Sequence, residues 1–291
     1  MSQSHSAPVL RSASEGVLRV LFGVFMAVIA IALVVQSNAP LFAAVIVLAM
    51  LFGAREWHRL VRSPEQRAVA DNQPIHIQTA ITGIAIALAV TALILHQSVV
   101  ALAFVVVGAV AAFVIAQRRE DNPSWHAFGV LYLGLPALAL VGLRIFPSTS
   151  QGTWVVLGLF VIVWATDTGA LVFGKLIGGK KLWPAISPGK TWAGTVGGTL
   201  TAIAVFALLA ALLSLKPLPS MVFALGLSIV AHLGDLFESW VKRRFGTKDS
   251  GGLIPGHGGV LDRMDSMFAC SVVLALLVFG LHVNPMFGGH A

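Results

Sequence analysis

Apolar runs long enough to cross a bilayer recur along the whole of this chain, about nine of them. No other feature restricts the fold so strongly. A backbone inside hydrocarbon has no water to bond to, so only helices and closed barrels can span a membrane. The runs are continuous and lack the period-two alternation of barrel strands. The expected fold is therefore all-α: a polytopic helical membrane protein with about nine transmembrane helices. The spans fall near residues 17–35, 40–60, 78–95, 98–116, 125–146, 152–173, 192–213, 219–240 and 264–283. Composition agrees, with 57% hydrophobic and only 11% charged residues and a mean hydropathy of +0.88, far from the soluble range.

Charge placement orients the spans. With the amino terminus cytoplasmic, the inner loops collect Arg55, Arg59, Arg62, Arg67, Arg118 and Arg119. Further along they collect Lys175, Lys180, Lys181, Lys190 and a cluster from Lys242 to Arg263. Of 19 basic residues only Arg144 and Lys216 fall outside, as the positive-inside rule requires. The large C-terminal loops are thus expected in the cytoplasm. The net charge of +7 belongs to short loops beside spans, where it meets anionic headgroups of membrane lipids rather than nucleic acid. The single cysteine, Cys270, excludes an intramolecular disulfide.

Two halves differ in character. Residues 1–150 alternate apolar spans with short polar links and carry no acid deep within a span, which reads as a transmembrane scaffold. There Arg55, Glu56, His58 and Arg59 at a span end read as interfacial anchors. Residues 151–291 read as the catalytic region, because Asp167, Asp235 and Glu238 fall within or at the ends of apolar spans. Each mid-span acid costs about 2.5–3.5 kcal/mol on insertion scales, so it persists only facing a polar cavity, a cation or a partner.

Three segments carry chemistry. In residues 232–242, helical spacing sets Asp235, Glu238, Ser239 and Lys242 on one stripe, acidic end deeper and basic end toward the loop. A cation on Asp235 and phosphates on Lys242 and Arg243 would then be neighbours. Residues 239–265 pack Lys248, Asp249, His257, Asp262, Arg263 and Asp265 among many glycines, a backbone able to bring N–H groups to an anion. Asp262 and Asp265, three apart, share a face at the start of the last span. Hard oxygen ligands of this kind suit Mg²⁺, and His257 is expected to hydrogen-bond a phosphate. In the third segment Asp167 sits near a span end, while Lys190 and Thr191 open the next helix. That helix start, with Ser187, is a plausible phosphate site; the upstream glycines and strand of a P-loop are absent.

The segment from Ser239 to Asp265 closely resembles the signature of phosphatidate cytidylyltransferases, also called CDP-diacylglycerol synthases. The match runs through Ser239, Lys242, Arg243, Lys248, Asp249, Pro255 to Gly259, Asp262, Arg263 and Asp265, with Gly234, Asp235 and Glu238 as a lead-in. The likeness is strong over 164–265 and only general in the first half. Where that family usually reads Ser-Pro-Lys-Lys-Thr-x-Glu-Gly, this chain carries Gly189 and Ala193, one cation and one acid fewer. The resemblance implies transfer of cytidylate from CTP to phosphatidic acid, giving CDP-diacylglycerol and pyrophosphate. It also implies a homodimer in the bacterial inner membrane with its site facing the cytoplasm.

On this reading Asp235 and Asp262 bind Mg²⁺, and Asp265 and Asp249 orient ligands or waters. Lys242, Arg243, Lys248 and Arg263 neutralise phosphates, with Asp167, Ser187, Lys190, Thr191, Ser239 and His257 as further substrate contacts. Three other classes fit less of the chain. A CTP-dependent polyprenol kinase would use similar charges. An intramembrane aspartyl protease would not need the cationic loop, and an ion-coupled transporter would not explain it.

Overall fold

Local signals in the chain set where each helix begins. Asn38 accepts the Leu41 N–H at 2.9 Å and a proline follows it, which starts a helix at once. Ser148 and Thr191 do the same for two later helices through the amides of Gln151 and Gly194. A computed structural model describes residues 23–63, 66, 76–145, 148–251, 259–281, 283–284 and 289–290.

Its elements are α1 (Gly23–Gln36), α2 (Ala39–Leu60), α3 (Ile77–Ile94), α4 (Ser98–Arg118), α5 (Pro123–Ile145) and α6 (Thr149–Leu176). A hairpin of β1 (Lys181–Trp183) and β2 (Ser187–Thr191) leads into α7 (Trp192–Leu212) and α8 (Pro217–Arg244). The last span is α9 (Leu261–Ala275), which continues as a π-helical turn to Gly280. Among the described residues eight helices are long and apolar enough to cross a membrane, and α1 is a shorter apolar one. The protein is thus an all-α multi-pass membrane protein. The expected first span starts at 17, and its part before residue 23 lies outside the described residues. Lys190 and Thr191, expected to open the next helix, instead end the second strand of an antiparallel hairpin at 181–191, with Thr191 the N-cap of α7.

Neighbouring helices pack in chain order, most extensively α6 on α7, while α9 also rests on α5 and touches α2. One continuous core joins residues of both halves, from Val34 to Val278. Large side chains such as Val99, Leu176 and Leu218 point outward, more than two-thirds exposed, because hydrocarbon is as good a solvent for them as the core. Without a hydrophobic drive between helices, close approach depends on small residues. Gly198 shows this on α7: a Cβ there would lie 2.5 Å from the Thr166 carbonyl oxygen and 3.0 Å from Ala170 of α6.

The N-terminal half has a polar interior. His126 Nε2 donates to Asp121 Oδ2 at 3.1 Å; its Nδ1 shares one proton with His58 Nδ1 across 2.9 Å, and His58 Nε2 faces the Thr82 hydroxyl at 2.7 Å. Burial works against the charge on Asp121, but hydrogen bonds from His126 and the Ser63 amide hold its carboxyl below the ordinary value. The anchor reading therefore fails for His58, which is fully buried. Arg55 and Arg59, by contrast, are exposed.

Candidate functional site

The inward stripe of α8 brings its acids to two neighbouring levels. At the deeper level Asp235 Oδ2 lies 2.5 Å from Lys190 Nζ, reaching across from the end of β2. Asp265 on α9 faces the same space, within electrostatic range of Asp235, Glu238 and Asp167. Asp167 on α6 is in turn in range of Asp235, Lys190 and Arg263. Three helices thus gather Asp167, Asp235 and Glu238 around Asp265. Gly234 makes this possible, because a Cβ there would lie 2.8 Å from the Asp265 carbonyl oxygen. Any larger residue would push α8 and α9 apart where their acids meet.

At the outer level Lys242 sits between two carboxylates, 3.2 Å from Glu238 Oε1 and 2.7 Å from Asp262 Oδ1. The Glu238 side chain is completely buried. Asp262 Oδ2 accepts from the Ser250 hydroxyl at 2.9 Å, the Gly259 amide at 2.9 Å and the Ser250 amide at 3.3 Å. Both Asp262 oxygens are therefore occupied by protein donors. Tyr132 of α5 lies behind this level, packed on Trp57, Phe128, Phe237 and Phe268. Its buried hydroxyl has no hydrogen-bond partner, and neither do Thr166 Oγ1 and Ser266 Oγ. Buried polar atoms without partners are rare in folded proteins.

The expected residues divide accordingly. Asp167, Asp235, Asp265 and Lys190 come together, with Arg263 exposed at the first turn of α9. Lys242 and Asp262 join the outer network. Ser239 is buried in α8. The pairing of Asp235 with Asp262 on one cation meets an obstacle, since Asp262 is already bound on both oxygens; Asp265 is the α9 acid that faces Asp235. Arg243 donates to the carbonyls of Ile186, at 3.2 Å, and Thr247, at 3.3 Å. It therefore ties the loop after α8 to the hairpin. Thr191 Oγ1 accepts the Gly194 amide at 3.0 Å, capping α7. Ser187 opens β2, and Lys248 and Asp249 are exposed on the loop after α8. His257 lies outside the described residues.

Two participants escaped the sequence reading. Ser250 bridges the loop to Asp262, and Glu56 of α2 accepts the amides of Val260 and Leu261 at 3.0 and 2.9 Å. Glu56 is 5% exposed, so it is no interfacial anchor. Its signal was present: it shares a helical stripe with Gly53 and Leu60, both buried.

Among the described residues, no three His, Cys, Asp or Glu side chains form a ready metal cage. Mg²⁺ does not require one, because it is commonly held by one or two carboxylates plus substrate phosphates and water. The donor set of Asp235, Asp265 and Asp167, with orphaned hydroxyls beside it, fits that habit.

Comparison with known proteins agrees with the geometry. The Cytidylyltransferase family matches residues 17–281. A phosphatidate cytidylyltransferase of Brucella suis biovar 1 is 45% identical over 168 residues, 57% of this chain and 61% of that protein. Similar proteins of that name occur in Staphylococcus saprophyticus, 42% identical over 50% of this chain and 58% of theirs, and in Staphylococcus aureus, 40% identical over 62% and 69%. The aligned stretch thus spans about three-fifths of the Brucella protein's length. The family match covers nearly the whole transmembrane body, both halves included: this chain belongs to the cytidylyltransferase family.

Proposed function

We propose that this protein is a phosphatidate cytidylyltransferase, which transfers CMP from CTP to phosphatidic acid and releases pyrophosphate. The observation that carries the reading is the grouping of Asp167, Asp235 and Asp265 with Lys190 and Arg263 within electrostatic range of one another. Lipid phosphate is already anionic at neutral pH, so the reaction needs no strong general base. Its oxygen forms a bond to the α-phosphorus of CTP as the bond to the pyrophosphate oxygen breaks. The difficulty is to bring two polyanions together and to hold charge on the leaving group. Lys190 and Arg263 supply cationic donors aimed at that charge, the electrostatic preorganisation that dominates such transfers. Lys242 is already balanced by Glu238 and Asp262, so its part is to fix the loop and the start of α9.

In this reading Mg²⁺ is held by Asp235 and Asp265, with Asp167 close by. The ion supplies charge neutralisation on the phosphates. In this reading a lipid headgroup reaches these residues from the side, between helices, while its acyl chains stay in the bilayer. The distribution of Lys and Arg supports placing the site at the cytoplasmic face of a bacterial inner membrane. The family resemblance supports a homodimer.

The test is incubation of purified protein with CTP, Mg²⁺ and phosphatidic acid, followed by mass analysis of lipid and nucleotide. CDP-diacylglycerol with pyrophosphate is expected. A phosphorylated lipid with CDP would instead assign a kinase.

A further inference from the structure

Glu56 stands in the half of the chain read as scaffold, yet its carboxylate belongs to the loop that leads into α9. Oε1 accepts the Val260 amide at 3.0 Å and Oε2 the Leu261 amide at 2.9 Å. The Ser250 hydroxyl, which donates to Asp262 at 2.9 Å, also lies 3.5 Å from Oε2. Helix α9 has no capping side chain of its own, because Val260 stands at its N-cap. The first turn of any helix leaves N–H groups that need an acceptor, and a negative charge there also meets the positive end of the helix dipole. In α9 that acceptor comes from α2, some two hundred residues earlier in the chain.

The loop is shaped to this carboxylate. A Cβ on Gly251 would lie 2.8 Å from Glu56 Oε1 and 3.0 Å from its Cδ, and one on Gly259 would lie 2.5 Å from Oε2. Neither glycine has a positive φ. Their small size, rather than backbone freedom, is what the position demands. Two residues beyond Val260 comes Asp262, which holds Lys242, and five beyond comes Asp265, which faces Asp235.

We infer that Glu56 is a positioning residue for the transfer site: a helix cap donated by α2 that fixes the height and register of α9, and hence Asp262 and Asp265, against α8. The inference rests on the proposed function for its kinetic consequence but not for its structural one. Misplacement of reacting groups by about 1 Å is enough to cost roughly a hundredfold in rate. Substrate affinity, which rests on Lys190 of β2 as well as on Arg263 of α9, should change less than turnover.

The experiment uses full-length protein in detergent micelles, with amide exchange followed by mass spectrometry and CDP-lipid formation followed in parallel. Glu56→Gln is the first variant, since its amide nitrogen must face one of the two N–H groups. Exchange in peptides covering 259–265 should quicken at least about tenfold, the worth of one hydrogen bond. The kcat should fall roughly 10- to 100-fold, while the KM for CTP stays within about twofold of wild type. Gly251→Ala, which touches Glu56 alone among its nearest contacts, should reproduce that signature. In a Glu56→Ala background Gly251→Ala should add nothing, because the atoms it collides with are gone. If Glu56→Ala does not fold, the two single variants decide. Unchanged exchange at 259–265 in Glu56→Gln, or a change in KM with kcat intact, overturns the inference. Quickened exchange in a protein that makes no CDP-lipid even as wild type would uphold the cap and refute the proposed function.

Discussion

Replacing Lys242 with methionine would leave two carboxylates facing each other where one ammonium now serves both. Lys242 Nζ is 3.2 Å from Glu238 Oε1 and 2.7 Å from Asp262 Oδ1. Asp262 keeps three other donors, from Ser250 and Gly259. Glu238 is fully buried, and Lys242 is the one cation paired with it among the described residues. Removing one partner of a buried pair costs roughly 3–5 kcal/mol, mostly the penalty of a stranded charge. A melting-temperature drop on the order of 10 °C should follow. Glu238→Gln alone should cost far less, since Lys242 still has Asp262 and no charge is stranded. The double variant Lys242→Met with Glu238→Gln should therefore be more stable than Lys242→Met alone. The coupling should be about 2 kcal/mol, within the range seen for touching residues. Thermal melts in detergent, read by tryptophan fluorescence from Trp125 and Trp240 near the loop, would measure it. Additive losses would refute the argument, because they would mean that Glu238 does not depend on Lys242 for its charge.

Asp235→Asn and Asp265→Asn should each lower CDP-lipid formation by roughly 10²–10³-fold, whereas Asp249→Asn, exposed on the loop, should lower it less than tenfold; initial rates at saturating Mg²⁺ check both. Gly198→Ala should separate α6 from α7 and cost about 1–3 kcal/mol, since its Cβ would collide with the Thr166 carbonyl; a thermal melt reads this. Burial, reinforced by Arg62, pushes His76 down to about 4 from the ordinary 6.5. Stability should be full above pH 6.5 and decline as pH falls toward 4, because the unfolded chain takes up a proton that the folded one refuses. His76→Gln should flatten that decline in melts taken across the range.

Much of this organisation is legible in the chain because membranes enforce simple rules. Helix positions follow from apolar runs, and Asp167 and Asp235 stand out because an intramembrane acid demands a reason. Helical spacing along α8 correctly places Asp235, Glu238 and Lys242 on one stripe, since that arrangement is purely local. Choices between equivalent groups are not legible. Asp262 and Asp265 lie three apart on one helix face, and only the position of Ser250 and Lys242 decides which of them is already bound. Arg243 and Thr191 carry the right chemistry for phosphate, yet one staples a hairpin and the other caps a helix. Those assignments depend on backbone carbonyls and amides, which every sequence has and none displays.

The division into scaffold and catalytic halves meets its hardest case at Glu56. Read locally, an acid between Arg55 and Arg59 at a span end is a solvated anchor, and only its helical stripe with Gly53 and Leu60 argues otherwise. Its partners, Val260 and Leu261, are backbone groups at the far end of the chain, so no pairing of charges announces the contact. The clue lies in the acceptors' surroundings instead. A helix whose first turn begins at a valine has orphan N–H groups with no local acceptor, and burial forbids water from serving. Some distant side chain must close that deficit, and it must be an oxygen on a helix touching α9. Of the N-terminal helices, α2 and α5 touch it. On α2 only one buried residue carries a carboxylate. The same deduction explains why glycines at 251 and 259 face that carboxylate: the loop leaves room for a group that belongs to the other half of the protein.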